Sequence, residues 1–172
     1  MKVVLYMGIS INGYIAKSDG NSEWTSEEDI QGFFEQSKKV GNIIMGKNTF
    51  REASKYGYFP FSGALNVVAT KEKIKNTWGE KRVLFTDRAP CEILKMLEAK
   101  GFESAFLAGG GELNSSFMKD GLINEIYLDV EPLVFGRGIK VFADSDFEFE
   151  LKLLGSRMLN ADTIQLHYAV VK

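Results

Sequence analysis

Histidine and cysteine are almost missing from this chain: among 172 residues there is one of each, His167 and Cys91. A single cysteine excludes an intrachain disulfide and leaves no thiolate cage for a metal. A single histidine removes His-rich metal sites and most nucleophile–histidine–acid triads. No metal is expected. His167 lies in the strand-like run 163–171, where Ile164, Leu166, Tyr168 and Val170 share one face. It therefore falls on the other face and reads as an ordinary strand histidine, with no partner pattern around it.

An excess of one charge is missing too. The formal net charge is −2, with acids and bases interleaved and no basic stripe, so nucleic acid is not expected as a partner. Long apolar runs are also lacking. Met1 to Ile11 is apolar, but it carries Lys2, has no small-residue cleavage site and is too short to span a bilayer. No membrane association is expected, and the cytoplasm is the expected compartment. Only three prolines occur, at 60, 90 and 132, and no linker or repeat divides the chain. With 45% hydrophobic and 26% charged residues, 1–172 reads as a single soluble domain.

Strands and helices alternate. Val3 to Ile9 is a continuous apolar run, the pattern of a strand covered on both faces. Asn12-Gly13 predicts a turn, followed by a short segment at Tyr14-Ile15-Ala16 and a polar loop from Lys17 to Glu23. A helix is predicted from Thr25 or Ser26, because both Thr25-x-x-Glu28 and Ser26-x-x-Asp29 fit a capping box; Gly41 is its C-cap. Asn42 to Met45 is a short strand, and a second helix starts near Asn48 or Thr49 and fades before Tyr56. Strands follow at 65–69 and 82–85, a helix at 92–100, a strand at 105–108 and a helix at 112–119. A strand at 123–130 precedes a terminal antiparallel pair at 147–154 and 163–171. The fold class is α/β: a mixed, mostly parallel twisted sheet flanked by helices, closed by a C-terminal antiparallel strand pair.

Three strand-to-helix crossings could carry chemistry. Ser104 to Leu113 runs from a strand through Gly109-Gly110-Gly111 into a helix at Glu112 and Leu113. Bare backbone and a helix N-terminus favour a phosphate there, although a tight turn alone would also use glycine. The second crossing offers Gly46, Lys47, Asn48 and Thr49; the third ends on Thr70 and Lys71. Three such exits suggest an extended ligand with more than one phosphate. Asp29 is the acid of interest, since it lies one helical turn before Phe33 at the edge of the apolar face. It fits two roles, a first-turn acid of the capping box or a group that binds a heterocycle and relays a proton.

The motifs together resemble the dihydrofolate reductase superfamily, in the branch of the C-terminal reductase domain of the bifunctional riboflavin biosynthesis deaminase/reductase. Ser10-Ile11-Asn12-Gly13-Tyr14-Ile15-Ala16 resembles that branch's Ser-Leu-Asp-Gly-x-Ile-Ala, and Ser22-x-Trp24-Thr25-Ser26 its Ser-x-Trp-Ile-Thr-Ser. The triple glycine, Gly121 to Glu125, Pro132 to Gly138 and Val141-Phe142 match its second half. Met45 to Phe50 is similar to the Met-Gly-Arg-x-Thr-Trp/Phe cofactor segment of dihydrofolate reductases, and Trp24, Asp29 and Phe33 keep the spacing of their tryptophan, acid and stacking phenylalanine. The resemblance implies NADPH held by Gly46, Lys47, Asn48, Thr49, Thr70, Lys71 and Gly109 to Leu113. It implies a heterocyclic substrate between Gly8, Ser10 and Phe33, with Asp29 and Trp24 in catalysis. NADPH is preferred over NADH on the reading that Lys47 and Lys71 can meet a 2′-phosphate, with Glu112 the only acid near the glycine turn.

Departures from the family pattern bear on the substrate. Ala64 stands where folate reductases carry the arginine for the glutamate tail; Arg51 and Lys55 are possible replacements. The riboflavin branch's Ala-Arg pair after the tryptophan motif, its Asp-x-Pro segment and the deaminase half are not found in this sequence. The leading expectation is an NADPH-dependent 5-amino-6-(5-phosphoribosylamino)uracil reductase-like enzyme. The alternatives are a dihydrofolate reductase and a nucleotide-binding protein without turnover. The resemblance also implies a homodimer, for which the apolar segment Leu128 to Phe142 is the expected contact.

Overall fold

The computed structural model describes residues 1–172 throughout. Its strands are β1 (Lys2–Ser10), β2 (Tyr14–Lys17), β3 (Asn42–Gly46), β4 (Leu65–Ala69), β5 (Val83–Thr86), β6 (Ser104–Leu107), β7 (Glu125–Glu131), β8 (Gly138–Lys140), β9 (Leu151–Met158) and β10 (Ile164–Val170). The helices are α1 (Glu27–Val40), α2 (Lys47–Lys55), α3 (Pro90–Ala99) and α4 (Gly111–Lys119). Eight strands form one sheet in the order β5-β4-β3-β6-β1-β7-β10-β9, and β2 pairs with β8 in a small second sheet.

The mixed α/β architecture expected from the alternating pattern is present. The pairings from β5 to β7 are parallel, and β10 and β9 add the antiparallel pair. Alternation along β1 divides the core between two faces. Val3 and Leu5 pack with Ile93, Leu97 and Phe117 of α3 and α4. Tyr6 turns the other way, toward Phe106, Phe50 and Phe33 of the α1–α2 side. A fully buried side chain such as Phe106 contributes about 1.5–3 kcal/mol relative to leaving it exposed.

Several boundaries move from the predicted ones, for local reasons. α2 starts at Lys47 with Gly46 as N-cap, and α3 starts at Pro90, since proline lacks only an N–H that the first turn does not use. The strand predicted at 147–154 begins at Leu151 and runs to Met158. Its extent follows its partner, because β10 pairs Ile164 with Met158 and Val170 with Leu151. Phe147 and Phe149 fold instead onto the core, with Phe147 against Phe142 at 5.7 Å between ring centres.

One further expectation is revised. His167 has partners after all: its ring stacks on Tyr127 at 4.0 Å, and Nε2 lies 3.1 Å from Glu125 Oε2. Glu125 also meets Lys2 Nζ at 2.7 Å. Burial opposes its charge, but Lys2 and His167 outweigh that and hold the carboxyl below the usual range. Of the segment Leu128 to Phe142, the part in β7 lies inside the sheet between β1 and β10, while Val134 and Ile139 beyond it are exposed. Apolar exposure also collects on the edge strand β9, at Leu151, Leu153, Leu154 and Met158.

Candidate functional site

The carboxyl ends of parallel strands are where open α/β sheets hold ligands, because the strand-to-helix turns gather there. Two adjoining cavities occur at that place. The larger, about 740 Å³, is lined by strand-to-helix turns, including Gly46 to Thr49, Gly110 to Leu113, Arg51 and the loop residues Ser18 to Gly20. The smaller, about 340 Å³, lies between β1 and α1 and includes Gly8, Asp29, Phe33, Phe34, Tyr58 and Phe61. Met7, Ile15, Ser22, Thr49, Glu52 and Ala108 line both and form the dividing wall.

The larger cavity suits a dinucleotide. α2 begins after Gly46 and α4 after Gly110, and neither helix has a side-chain cap on its first turn. Their free N–H groups remain for phosphate oxygens. The two turns are tied together where Gly46 N–H donates to Gly109 O at 2.7 Å. Gly109 has φ +80°, which favours glycine, and a Cβ on Gly111 would sit 2.4 Å from Lys140 O. Lys47 Nζ and Arg51 each lie 2.9 Å from a different oxygen of Glu72, an acid that the glycine-turn argument did not weigh. Lys47 is the first cause of the Glu72 carboxyl lying below the usual range. Thr70 and Lys71 are not part of the lining; Ala69 takes that position, and Thr70 Oγ1 accepts from Glu72 N–H at 3.0 Å.

In the smaller cavity the chemistry centres on a buried acid pair. Gly8 on β1 sits directly beside Asp129 on β7, and Gln165 on β10 follows in the same row. A Cβ on Gly8 would lie 2.3 Å from Asp29 Oδ2, so the Asp29 carboxyl occupies the space that glycine leaves open. Asp129 receives the Tyr6 hydroxyl at 2.5 Å and Gln165 Nε2 at 2.7 Å; Arg157 Nε donates to Gln165 Oε1 at 2.9 Å. Burial raises the Asp29 pKa well above the ordinary carboxyl value, and the adjacent Asp129 raises it further by charge and hydrogen bonding. Burial also raises Asp129, but its donors act the other way. Two like charges cannot both persist there, and Asp129 has two donors while Asp29 has none from N–H or neutral O–H groups of the protein. The shared proton therefore resides on Asp29.

The capping box anticipated for Asp29 is only half formed. Ser26 is the N-cap and accepts Asp29 N–H at 3.3 Å. The reciprocal bond is made by Glu131, whose Oε1 accepts Ser26 N–H at 2.8 Å and the Ser26 hydroxyl at 2.7 Å. The Asp29 side chain is thereby left for the cavity. Ser10 lies outside it: fully buried, its hydroxyl donates to Asn12 Oδ1 at 2.9 Å and accepts Tyr14 N–H at 3.0 Å, holding the turn. Trp24 also lies outside, with its ring against Phe135 at 5.4 Å and Nε1 donating to Asn21 O at 3.2 Å. Arg51 belongs to the larger cavity and Lys55 to neither.

Tyr6, Asp129, Glu131, Gln165 and Glu52 were missed by the motif reading. The signal for two of them was legible in β7, where Tyr127, Asp129 and Glu131 alternate with Ile126, Leu128 and Val130. Acids on one face of an interior strand must be paired, because burying an unpaired carboxylate is costly.

The RibD C-terminal domain family matches residues 1–165 of this chain. The YwjB protein of Bacillus subtilis (strain 168) is 30% identical over 171 residues, covering 97% of each chain. The 2,5-diamino-6-ribosylamino-4(3H)-pyrimidinone 5′-phosphate reductase of Methanothermobacter thermautotrophicus is 24% identical, covering 94% of this chain and 95% of its own. The crystal structure of a Shewanella sp. PV-4 protein superposes with a TM-score of 0.85 at 22% identity, covering both chains fully. On the match over residues 1–165, carried by a dihydrofolate reductase-like fold, the chain belongs to the RibD C-terminal domain family.

Proposed function

We infer that the chain is an NADPH-dependent reductase of a small heterocyclic substrate. The observation that carries this reading is the junction of the two cavities, with the buried Asp29 carboxyl on one side and uncapped helix N-termini on the other. The free N–H groups of α2 and α4, with Lys47 and Arg51, would hold the cofactor's phosphates, and the wall of Met7, Ile15, Thr49 and Ala108 would meet its reactive end. A reduced nicotinamide supplies a hydride when bound.

The protein's own part is to place the acceptor and move a proton. Phe33, Phe34 and Phe61 offer aromatic walls to a planar ring. Asp29 donates its proton to the substrate heteroatom beside the carbon that receives the hydride, so the double bond gains both. The carboxylate left behind faces the Asp129 charge, which favours its reprotonation before the next cycle. Among relatives, the Methanothermobacter reductase supports an amino-substituted pyrimidine as the ring, in line with the pyrimidine reductase expectation.

The test is NADPH consumption against a panel of pyrimidines and pterins, run beside NADPH binding measured directly. Oxidation linked to a reduced heterocyclic product supports the reading. Tight NADPH binding with no oxidation by any pyrimidine or pterin would instead favour a nucleotide-binding protein.

A further inference from the structure

The charges on the two cavities differ. The larger holds Lys47 and Arg51. In the smaller, the carboxyl side chains are Glu23, Asp29 and Glu52, with no lysine, arginine or histidine in the lining. Of the two cations nearest in sequence, Arg51 faces the larger cavity, and Lys55 stands at the rim of the smaller one, held by two of its lining residues. Arg51 pairs with Glu72 at 2.9 Å, and Lys55 is exposed, with Nζ 3.2 Å from the Tyr56 hydroxyl and 3.7 Å from Glu52 Oε2.

A helix N-terminus could bind an anion in place of a cation, and α1 begins beside this chamber. That end is already taken: Glu131 holds the Ser26 N–H and hydroxyl, and Glu27, Glu28 and Asp29 fill the first turn. The acids present are short of hydrogen-bond donors, Glu52 having only the longer ion pair to Lys55. Glu52 Oε2 is buried without a hydrogen bond, and the Asp29 side chain, 5% exposed as a residue, accepts none from an N–H. Acceptor oxygens of this kind are satisfied by N–H groups of a ligand, and the Glu52 charge repels an anion.

We propose that the substrate is an amino-substituted pyrimidine that carries no phosphate ester, a conclusion about substrate class that rests on the reductase reading above. The ring lies among Phe33, Phe34 and Phe61, and its amino and ring N–H groups face Asp29 and Glu52. Within the chamber lining a phosphate dianion meets no cation or free helix end, and the one lysine at the rim, Lys55, is already held by Glu52 and the Tyr56 hydroxyl. This sets the chain apart from the Methanothermobacter relative, whose name specifies a 5′-phosphate. It also disfavours dihydrofolate, whose tail is anionic.

The experiment uses a matched pair, 2,5-diamino-6-ribosylamino-4(3H)-pyrimidinone with and without its 5′-phosphate. Each is titrated into the full chain saturated with NADPH, with calorimetry for affinity and cofactor oxidation for turnover. The phosphate-free form should bind more tightly by roughly tenfold or more, from like-charge repulsion in a desolvated site. Glu52→Lys, at a half-buried position that can accept the change, should tighten the phosphorylated form and narrow the gap. Equal or tighter binding of the phosphorylated form, no binding of the phosphate-free form, or a gap unchanged in Glu52→Lys each overturns the proposal. Failure of NADPH itself to bind, measured before any pyrimidine is added, counts against the reductase reading instead.

Discussion

Glu131 Oε1 accepts both the backbone N–H and the hydroxyl of Ser26, residues 105 positions apart in the chain. Its second oxygen accepts the Thr163 hydroxyl at 2.8 Å, so one buried carboxylate ties β7 and the end of the final hairpin to the start of α1. Glu131→Gln replaces one acceptor oxygen by an NH₂ among groups that all donate. Thermal or denaturant unfolding should show a loss of about 1–3 kcal/mol. An unchanged melting temperature would mean that Ser26 and Thr163 find other partners at no cost.

Asp29→Asn separates the two roles of the acid. Turnover should fall by roughly 10²-fold or more if the proton on Asp29 is used in catalysis. In the wild type kcat should fall as pH rises through the raised Asp29 pKa, where the donor is lost. The same shift affects stability with a definite sign. Between the ordinary carboxyl pKa and the raised one, the folded chain keeps a proton that the unfolded chain has released, so stability falls as pH rises through that window. Asparagine does not ionise, and melting temperature against pH should flatten in the variant. Steady-state rates and melting curves measured together would refute this if both pH profiles were unchanged.

Gly8→Ala places a methyl group where the Asp29 carboxyl now lies, and 3.0 Å from Thr25 Cγ2. Crowding of this kind costs about 1–3 kcal/mol in stability. Activity should fall to the level of Asp29→Asn, because the carboxyl must turn away from Asp129. A variant that retains full turnover would show that the pair can separate without consequence.

Cofactor choice should depend on Lys47, Arg51 and Glu72 as a unit. Lys47→Ala should weaken NADPH by roughly tenfold while leaving NADH nearly unchanged, since only the former has a 2′-phosphate to lose a charge-assisted bond. Glu72→Gln should act the other way, freeing both cations and widening the preference for NADPH. Dissociation constants for both cofactors at low and high salt would decide the matter. Equal losses on both cofactors in Lys47→Ala would remove Lys47 from 2′-phosphate recognition.

The parts of this protein that could be read from sequence are those formed by neighbours in the chain. The glycine turn at 109–111, the β3–α2 crossing at Gly46 and the Ser26 cap depend on local backbone geometry, which residue type reports directly. The acid network was not readable in the same way. Tyr6, Asp29, Asp129 and Gln165 come from three strands and a helix, and Tyr6 and Gln165 are 159 positions apart. Only the strand order β1-β7-β10 places them in adjoining rows. Spacing alone could assign Asp29 to the capping box, because the competitor for Ser26, Glu131, arrives through tertiary pairing. Trp24 and Ser10 show the converse, where a motif match suggested site contact and the side chains serve the neighbouring turn.

The nine-residue helix α2 borders both chambers, with Lys47 and Arg51 on one, Ala53 on the other, and Thr49 and Glu52 on the ridge between them. Residues three apart are neighbours on a helix surface, which is why Thr49 and Glu52 make a continuous partition. A single-residue insertion before Thr49 would rotate everything after it by about 100° and scramble donor and acceptor selectivity together. Point changes at 51 or 53, each facing one chamber only, leave that register intact. Within this helix, divergence by substitution can retune one ligand at a time, whereas divergence by insertion or deletion must alter both at once.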